Sequence, residues 1–295
     1  MEQPEYKEGL IEGKFGAVWY AIYGAKAAGT PLLVLHGGPG APHDYLEPLA
    51  ALADERPVIF YDQLGCGNSA RPADLAYATL ENFVEELGAV RAALGLDRAF
   101  ILGQSWGCML AADYLLTQAP AGIAGLILSG PCLSASRFVA DLRGYIEQMP
   151  PELRAVIERC EASGAYDAPE YEAAVLAFYR KHVCRLVLWP ECMQRTMEKM
   201  GVEVYHRMWG PSEFTLTGTL QDYDRTGRLA EIKLPTLFTC GRYDEATPET
   251  TTWYHHLMPG SELRVFEDAS HEHHLEKPAE YLAVVRDFLR RAAKR

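Results

Sequence analysis

The sequence contains no apolar run approaching the roughly 18 residues that a membrane-crossing helix needs, which argues against a membrane protein. Its start, Met1-Glu2-Gln3-Pro4-Glu5, has neither a basic segment nor an apolar stretch behind it, so no signal peptide is expected. Cysteine is sparse and scattered: Cys66, Cys108, Cys132, Cys160, Cys184, Cys192 and Cys240 are odd in number and form no C-x-x-C pair. That distribution argues against a disulfide framework or a zinc site and suits a reduced, cytoplasmic protein. No cluster of Lys and Arg offers a face for phosphates, and the net charge is -12, so nucleic acid is not an expected partner. The acidity suits solubility, and it leaves open an attraction for cationic or free-amine substrates. There is no internal repeat and no low-complexity stretch.

What is present is an ordinary globular composition, 48% hydrophobic and 23% charged over 295 residues. That length accommodates one large domain, or one domain with an insertion. Pro31 to Leu35, Pro57 to Tyr61, Ala99 to Leu102 and Ile123 to Leu128 are continuously apolar. Such runs are expected of central parallel strands covered on both faces. Between them, Leu80, Phe83, Val84, Leu87, Val90 and Leu94 form a helical stripe, with Thr79 placed to cap it. From about Leu133 to Arg228 the pattern becomes helical, with Arg154 to Glu161, Glu170 to His182 and Pro190 to Met200 the clearest segments. Thr236 to Cys240 and Glu262 to Phe266 resume the strand pattern, and Pro278 to Ala293 reads as a closing helix. The expected fold is therefore α/β: a mostly parallel central sheet flanked by helices, built from residues 1–132 and 229–295, with a helical cap domain, 133–228, inserted.

The sharpest motif is Gly103-Gln104-Ser105-Trp106-Gly107, a G-x-S-x-G between a strand and a helical stretch. In that context the serine sits on a tight, strained turn at a helix N-terminus, exposed as a nucleophile. A serine nucleophile needs a base, and the base needs an orienting acid. Asp244 follows the Thr236 strand and His271 follows the Glu262 strand, in the chain order that this fold requires. His273 is the fallback base. The run His271-Glu272-His273-His274 is not H-E-x-x-H, and its spacing suits a loop, so no metal is expected there. His36-Gly37-Gly38-Pro39-Gly40 follows the first buried strand. It can bring a backbone N–H, near Gly38, toward an oxyanion, with the N–H of Trp106 as the second donor. Without G-K-[ST] it is not a phosphate loop.

These motifs together resemble the proline iminopeptidase family of α/β-hydrolase serine aminopeptidases. Asp62-Gln63-Leu64-Gly65-Cys66-Gly67-Asn68-Ser69 is similar to a stretch of the same family. Trp209-Gly210-Pro211-Ser212-Glu213-Phe214 and Gly241-Arg242-Tyr243-Asp244-Glu245 resemble its tricorn-interacting branch. Gln104 stands where many members have Gly, Cys108 follows the elbow, and the cap lacks the W-x-x-W-E of some bacterial members.

The resemblance implies an exopeptidase that acts on short peptides with a free N-terminus, often proline, with no cofactor. It also implies that Glu213 and Glu245 hold the substrate amine. Phe178, Trp189, Tyr205, Trp209 and Phe214 are candidates either to line the pocket or to pack the cap. An upstream protease supplying the peptides would fit this activity. The same machinery would serve an L-amino-acid amidase such as a prolinamide hydrolase, and a generic carboxylesterase is a third reading. Epoxide hydrolases and dehalogenases need a carboxylate where Ser105 stands, and a non-catalytic binding protein would not need all three of Ser105, Asp244 and His271.

Overall fold

The computed structural model describes residues 5–294. Most of the N-terminal pentad on which the signal-peptide expectation rests lies outside them. Eight strands form one sheet: β1 (Tyr6–Glu12), β2 (Ala17–Tyr23), β3 (Leu32–Leu35), β4 (Val58–Tyr61), β5 (Ala99–Gln104), β6 (Ile123–Ser129), β7 (Thr236–Gly241) and β8 (Glu262–Phe266). Their order is β1-β2-β4-β3-β5-β6-β7-β8. All pairs are parallel except those made by β1 and β2, which are antiparallel.

The apolar runs are continuous because the sheet has a core on each face. Leu33, Leu35, Ile59, Tyr61 and Ile101 pack on one side under α1 (Leu80–Ala93) and α2 (Trp106–Gln118). Leu32, Val34, Phe60, Phe100 and Leu102 alternate to the other, under the 3-10 segment His43–Asp54 and the C-terminal helix Pro278–Ala292. Each such aliphatic or aromatic side chain removed from water contributes about 1.5–3 kcal/mol. Thr79 caps α1 as expected, its hydroxyl accepting from the Asn82 N–H at 3.3 Å.

Strands β1 and β2 were not expected. β1 is largely exposed and carries polar residues throughout, whereas β2 is apolar along its length but alternates between buried and part-buried positions. Between 133 and 228 there is no strand among the described residues, as the sequence implied, only isolated bridges. Five helices fill this insertion: α3 (Ala135–Glu147), α4 (Pro151–Ser163), α5 (Pro169–His182), α6 (Glu191–Glu198) and α7 (Val202–Met208). Of these, α3 and α7 were not anticipated, nor was α8 (Pro248–Leu257) after β7. The insertion is stitched shut at its base. Ala135 N–H donates to Tyr223 O at 2.9 Å, Arg225 N–H to Leu133 O at 3.0 Å, and Ser134 Oγ to Asp224 Oδ2 at 3.0 Å. Among the described residues, no helix is long and apolar enough to cross a membrane.

Candidate active site

The carboxyl ends of the parallel strands deliver the motif residues to one edge of the sheet. Ser105 joins β5 directly to α2 with φ 54° and ψ -120°. A positive φ at a residue bearing a side chain stores strain, and here it thrusts the hydroxyl out of the sheet. The flanking glycines are required by contact. A Cβ on Gly103 would lie 2.3 Å from Gly107 O, and one on Gly107 would lie 2.3 Å from Leu35 O.

Asp244 and His271 meet as the order in the chain suggested. His271 Nδ1–H donates to Asp244 Oδ1 at 2.7 Å. The same carboxylate accepts from Ala246 N at 2.8 Å and Gly241 N at 3.1 Å, which fixes its orientation. His271 and Ser105 line one cavity of about 220 Å³ together with Gly38, Glu213 and Glu245. Gly38, Ser105, Trp106 and Glu213 also surround a second, tighter space of about 10 Å³, closed by Cys132, Phe138 and Trp209. The two residues expected to supply oxyanion donors therefore border the same space as the serine.

The glycine-rich loop is braced from below. His36 accepts from Gln63 N–H on Nε2 at 2.9 Å and donates from Nδ1 to Gly37 O at 3.0 Å, so it is a neutral ring, and burial lowers its pKa to about 4. Gln63 Oε1 accepts from Trp106 Nε1 at 2.8 Å. The Asp62-to-Ser69 stretch thus ties the loop carrying Gly38 to the helix start carrying Trp106.

Two sequence expectations need correction. His273 cannot serve as the fallback base. It is fully buried, with Nε2 at 3.0 Å from both Ser129 Oγ and Thr239 Oγ1, and it is not among the residues that line the cavity holding Ser105. Nor is the His271–His274 run entirely loop, because His273–Glu276 forms a helical turn. The aromatic candidates divide. Trp189 and Tyr205 line the wider cavity and Trp209 the tight one, whereas Phe178 and Phe214 pack edge-to-face at 5.2 Å inside the helical insertion.

Glu245 is buried and Glu213 part-buried at the cavity wall, which no lysine or arginine lines among the described residues. Tyr205 donates its hydroxyl to Glu213 Oε1 at 2.7 Å, while Glu245 Oε2 has no hydrogen-bond partner among the described residues. Burial raises the pKa of Glu213, and burial together with the charge of Glu213 holds Glu245 well above the usual carboxylate range. Burial would depress His271, but the Asp244, Glu245 and Glu272 carboxylates overcome it and lift the imidazole to about 10.

Two residues escaped the sequence reading. Glu272 adds a third carboxyl to the wall, and burial raises its pKa to about 8. Its position immediately after His271 was the available signal. His182, at the end of α5, holds the helical insertion to the loops: its carbonyl accepts from His271 N–H at 3.1 Å and Glu245 N–H at 3.3 Å. Nothing in its local sequence distinguishes it from any last-turn histidine.

The ligand set His43, Asp44 and Glu47 has spacing that could hold a metal ion. Its charge is already met: Asp44 Oδ1 takes Arg195 Nε at 3.1 Å and Lys199 Nζ at 2.8 Å, and His43 Nδ1 donates to Asp62 Oδ1 at 2.7 Å.

A family model described as alpha/beta hydrolase fold matches residues 30–278. A proline iminopeptidase of Heyndrickxia coagulans is 47% identical over 285 residues, covering 96% of this chain and 99% of that protein. One from Saccharolobus solfataricus is 40% identical over 275 residues, 92% of this chain and 88% of that protein. The crystal structure of a Mycobacterium smegmatis proline iminopeptidase superposes with a TM-score of 0.88 at 38% identity, covering 97% of this chain and 99% of that one. The chain belongs to the proline iminopeptidase family within the α/β-hydrolase fold.

Proposed function

We propose that this chain is a serine aminopeptidase that releases N-terminal residues, proline foremost, from short peptides through an acyl-enzyme. The observation that carries the reading is a pair of carboxyl groups, buried Glu245 and part-buried Glu213, on the wall of the cavity that also holds Ser105 and His271, with no lysine or arginine among its described lining residues. A buried carboxylate without a partner is costly, and a substrate ammonium or iminium would satisfy both through charge-assisted hydrogen bonds. An amine anchored there sets the first carbonyl, and no later one, at Ser105. That is what makes the cleavage exopeptidic.

Neutral His271 takes the proton of Ser105 as the hydroxyl attacks that carbonyl. Asp244 holds the imidazole by its Nδ1 hydrogen bond. The N–H groups of Gly38 and Trp106 receive the oxyanion, each donor typically worth about 2.7–4 kcal/mol. His271 then protonates the leaving amine, the C–N bond breaks, and water activated by the same imidazole releases the amino acid from the ester.

In this reading residues 133–228 are a cap domain over a core of 1–132 and 229–295, supported by the stitched base of the insertion. Similarity at Trp209 to Phe214 and Gly241 to Glu245 supports placement in the tricorn-interacting branch. The free thiols suit a reducing, cytoplasmic setting, where an upstream protease would supply the peptides.

The test is a panel of aminoacyl anilides, free and N-acetylated, with wild type and Ser105→Ala. The expected result is turnover of the free amines only, abolished in the variant. Equal turnover of N-acetylated substrates would sink the reading.

A further inference from the structure

Exposure grades the cavity that holds Ser105 and His271 from its interior to its mouth. Glu245 and His271, on its wall, are only 1% and 3% exposed. Three of its described lining residues are exposed: Met197, Val202 and His206. They lie on α6 and α7 of the insertion, so these two helices form the mouth.

The mouth is apolar because of the spacing along α6. Met193 and Met197 stand four residues apart on one helical face, and Met200 follows the end of the helix. Met193 is buried, Met200 part-buried and Met197 49% exposed, so the three methionines carry an apolar wall outward to the rim. Val202, also 49% exposed, extends it at the start of α7. The charges of this segment are engaged elsewhere. Arg195 pairs with Asp44 and Glu47, and Lys199, just past the helix, pairs with Asp44. Apolar side chains held half in water at a cavity mouth gain when an apolar ligand covers them. Methionine is unbranched and flexible, so such a wall adapts to apolar groups of different shape.

The gradient of exposure also orients the substrate. Resting on the aminopeptidase reading, the substrate begins at an amine held by Glu213 and Glu245, and no residue precedes it. Everything after the cleaved bond must then run from Ser105 toward solvent, which the cavity meets at Met197, Val202 and His206. We propose that Met193, Met197, Met200 and Val202 form the subsite for the residue that follows the cleaved bond, and that this subsite selects an apolar side chain.

The experiment measures kcat/KM for Pro-Leu-NH2, Pro-Asn-NH2 and Pro-Gly-NH2, with prolyl and alanyl anilides alongside, on the full-length enzyme. Leucine and asparagine are close in shape and differ in polarity, and the amides keep a terminal carboxylate away from the carboxyl groups of the wall. Wild type is expected to favour Pro-Leu-NH2 over the other two about 10-fold, the scale of moving an aliphatic side chain onto an apolar surface that stays partly open to water. In the double variant Met197→Ser, Val202→Ser that preference should fall about 5-fold, chiefly through KM. The ratio of prolyl to alanyl anilide turnover should hold. Equal wild-type turnover of the three dipeptide amides overturns the subsite, and this comparison does not depend on the variant folding. A variant that keeps the leucine preference but changes the prolyl-to-alanyl ratio also overturns it, because the rim would then be touching the first residue. Failure of wild type to cleave any prolyl substrate, the anilide included, would count against the aminopeptidase reading itself and take the subsite with it.

Discussion

Glu245 Oε1 lies 3.6 Å from Nε2 of His271, the imidazole nitrogen opposite the one bound to Asp244. The proposed base is therefore bracketed by carboxylates on both nitrogens. In the unliganded enzyme this arrangement favours imidazolium, which cannot accept the serine proton. A substrate ammonium on Glu213 and Glu245 would cancel that field and free the base.

Replacing Glu245 with Gln should therefore shift the acid limb of the kcat/KM profile. Activity rises with pH as His271 loses its proton, at a pKa of about 10 in the free enzyme. Removing a nearby negative charge lowers that pKa, so the limb should move to lower pH. The same change removes an amine ligand, so KM for free-amine substrates should rise. A pH–rate series on an aminoacyl anilide checks both, and a limb that stays put or moves to higher pH would show that Glu245 does not set the state of the base.

Glu213→Ala should cut kcat/KM on prolyl substrates by about 100-fold or more, since losing one partner of a buried charge pair costs about 3–5 kcal/mol. Tyr205, which now donates to Glu213 Oε1, would also lose its acceptor. Turnover of a simple acyl ester with no amino group should change far less. If both substrates fell by the same factor, Glu213 would be acting on the fold or the base rather than on the amine.

Asp244→Asn should lower kcat by about 10⁴, because an amide does not fix the imidazole tautomer as a carboxylate does. Asp244 accepts from Gly241 and Ala246 N–H as well as from His271. An amide keeps one carbonyl acceptor but turns an NH2 toward a backbone donor, so modest destabilisation is expected alongside. Retention of more than a tenth of wild-type kcat, measured on folded protein, would remove Asp244 from the proposed triad.

Much of this site was legible because its chemistry is carried by short-range patterns. The β5–Ser105–α2 turn announces itself through Gly103 and Gly107, whose side-chain hydrogens face backbone carbonyls. Asp244 follows the buried strand β7 and His271 the alternating strand β8, so the strands locate them. The contribution of His182 was not legible, because it acts through its carbonyl, and a carbonyl leaves no trace in side-chain type. Strands β1 and β2 were missed for a related reason. They are held by register, Tyr6 opposite Tyr23 through Glu12 opposite Ala17, rather than by continuous apolar burial. The orientation of Gln104 depends on Tyr45, 59 positions away in sequence, and no local window contains both.

Glu86 supplies a test of stability independent of the active site. It borders a second cavity of about 240 Å³ between the β1–β2 hairpin and α1, where its carboxyl accepts from Leu64 N–H at 3.3 Å. Burial raises its pKa from 4.5 to about 8. Between those values the folded chain keeps a proton that the unfolded chain has released. Stability must therefore fall as pH rises from about 4.5 to about 8, and level off above that. Glu86→Gln removes this titration. Its stability relative to wild type should be greater at pH 8 than at pH 5 by about 2 kcal/mol, the full linkage being discounted because the side chain is only partly buried. Urea unfolding of both proteins at the two pH values measures that difference directly. Using the difference cancels the titration of Glu245 and Glu272, which both proteins share. A gap that is equal at the two pH values, or larger at pH 5, would mean that Glu86 is already ionised in the folded chain, with its charge reaching water through the cavity mouth.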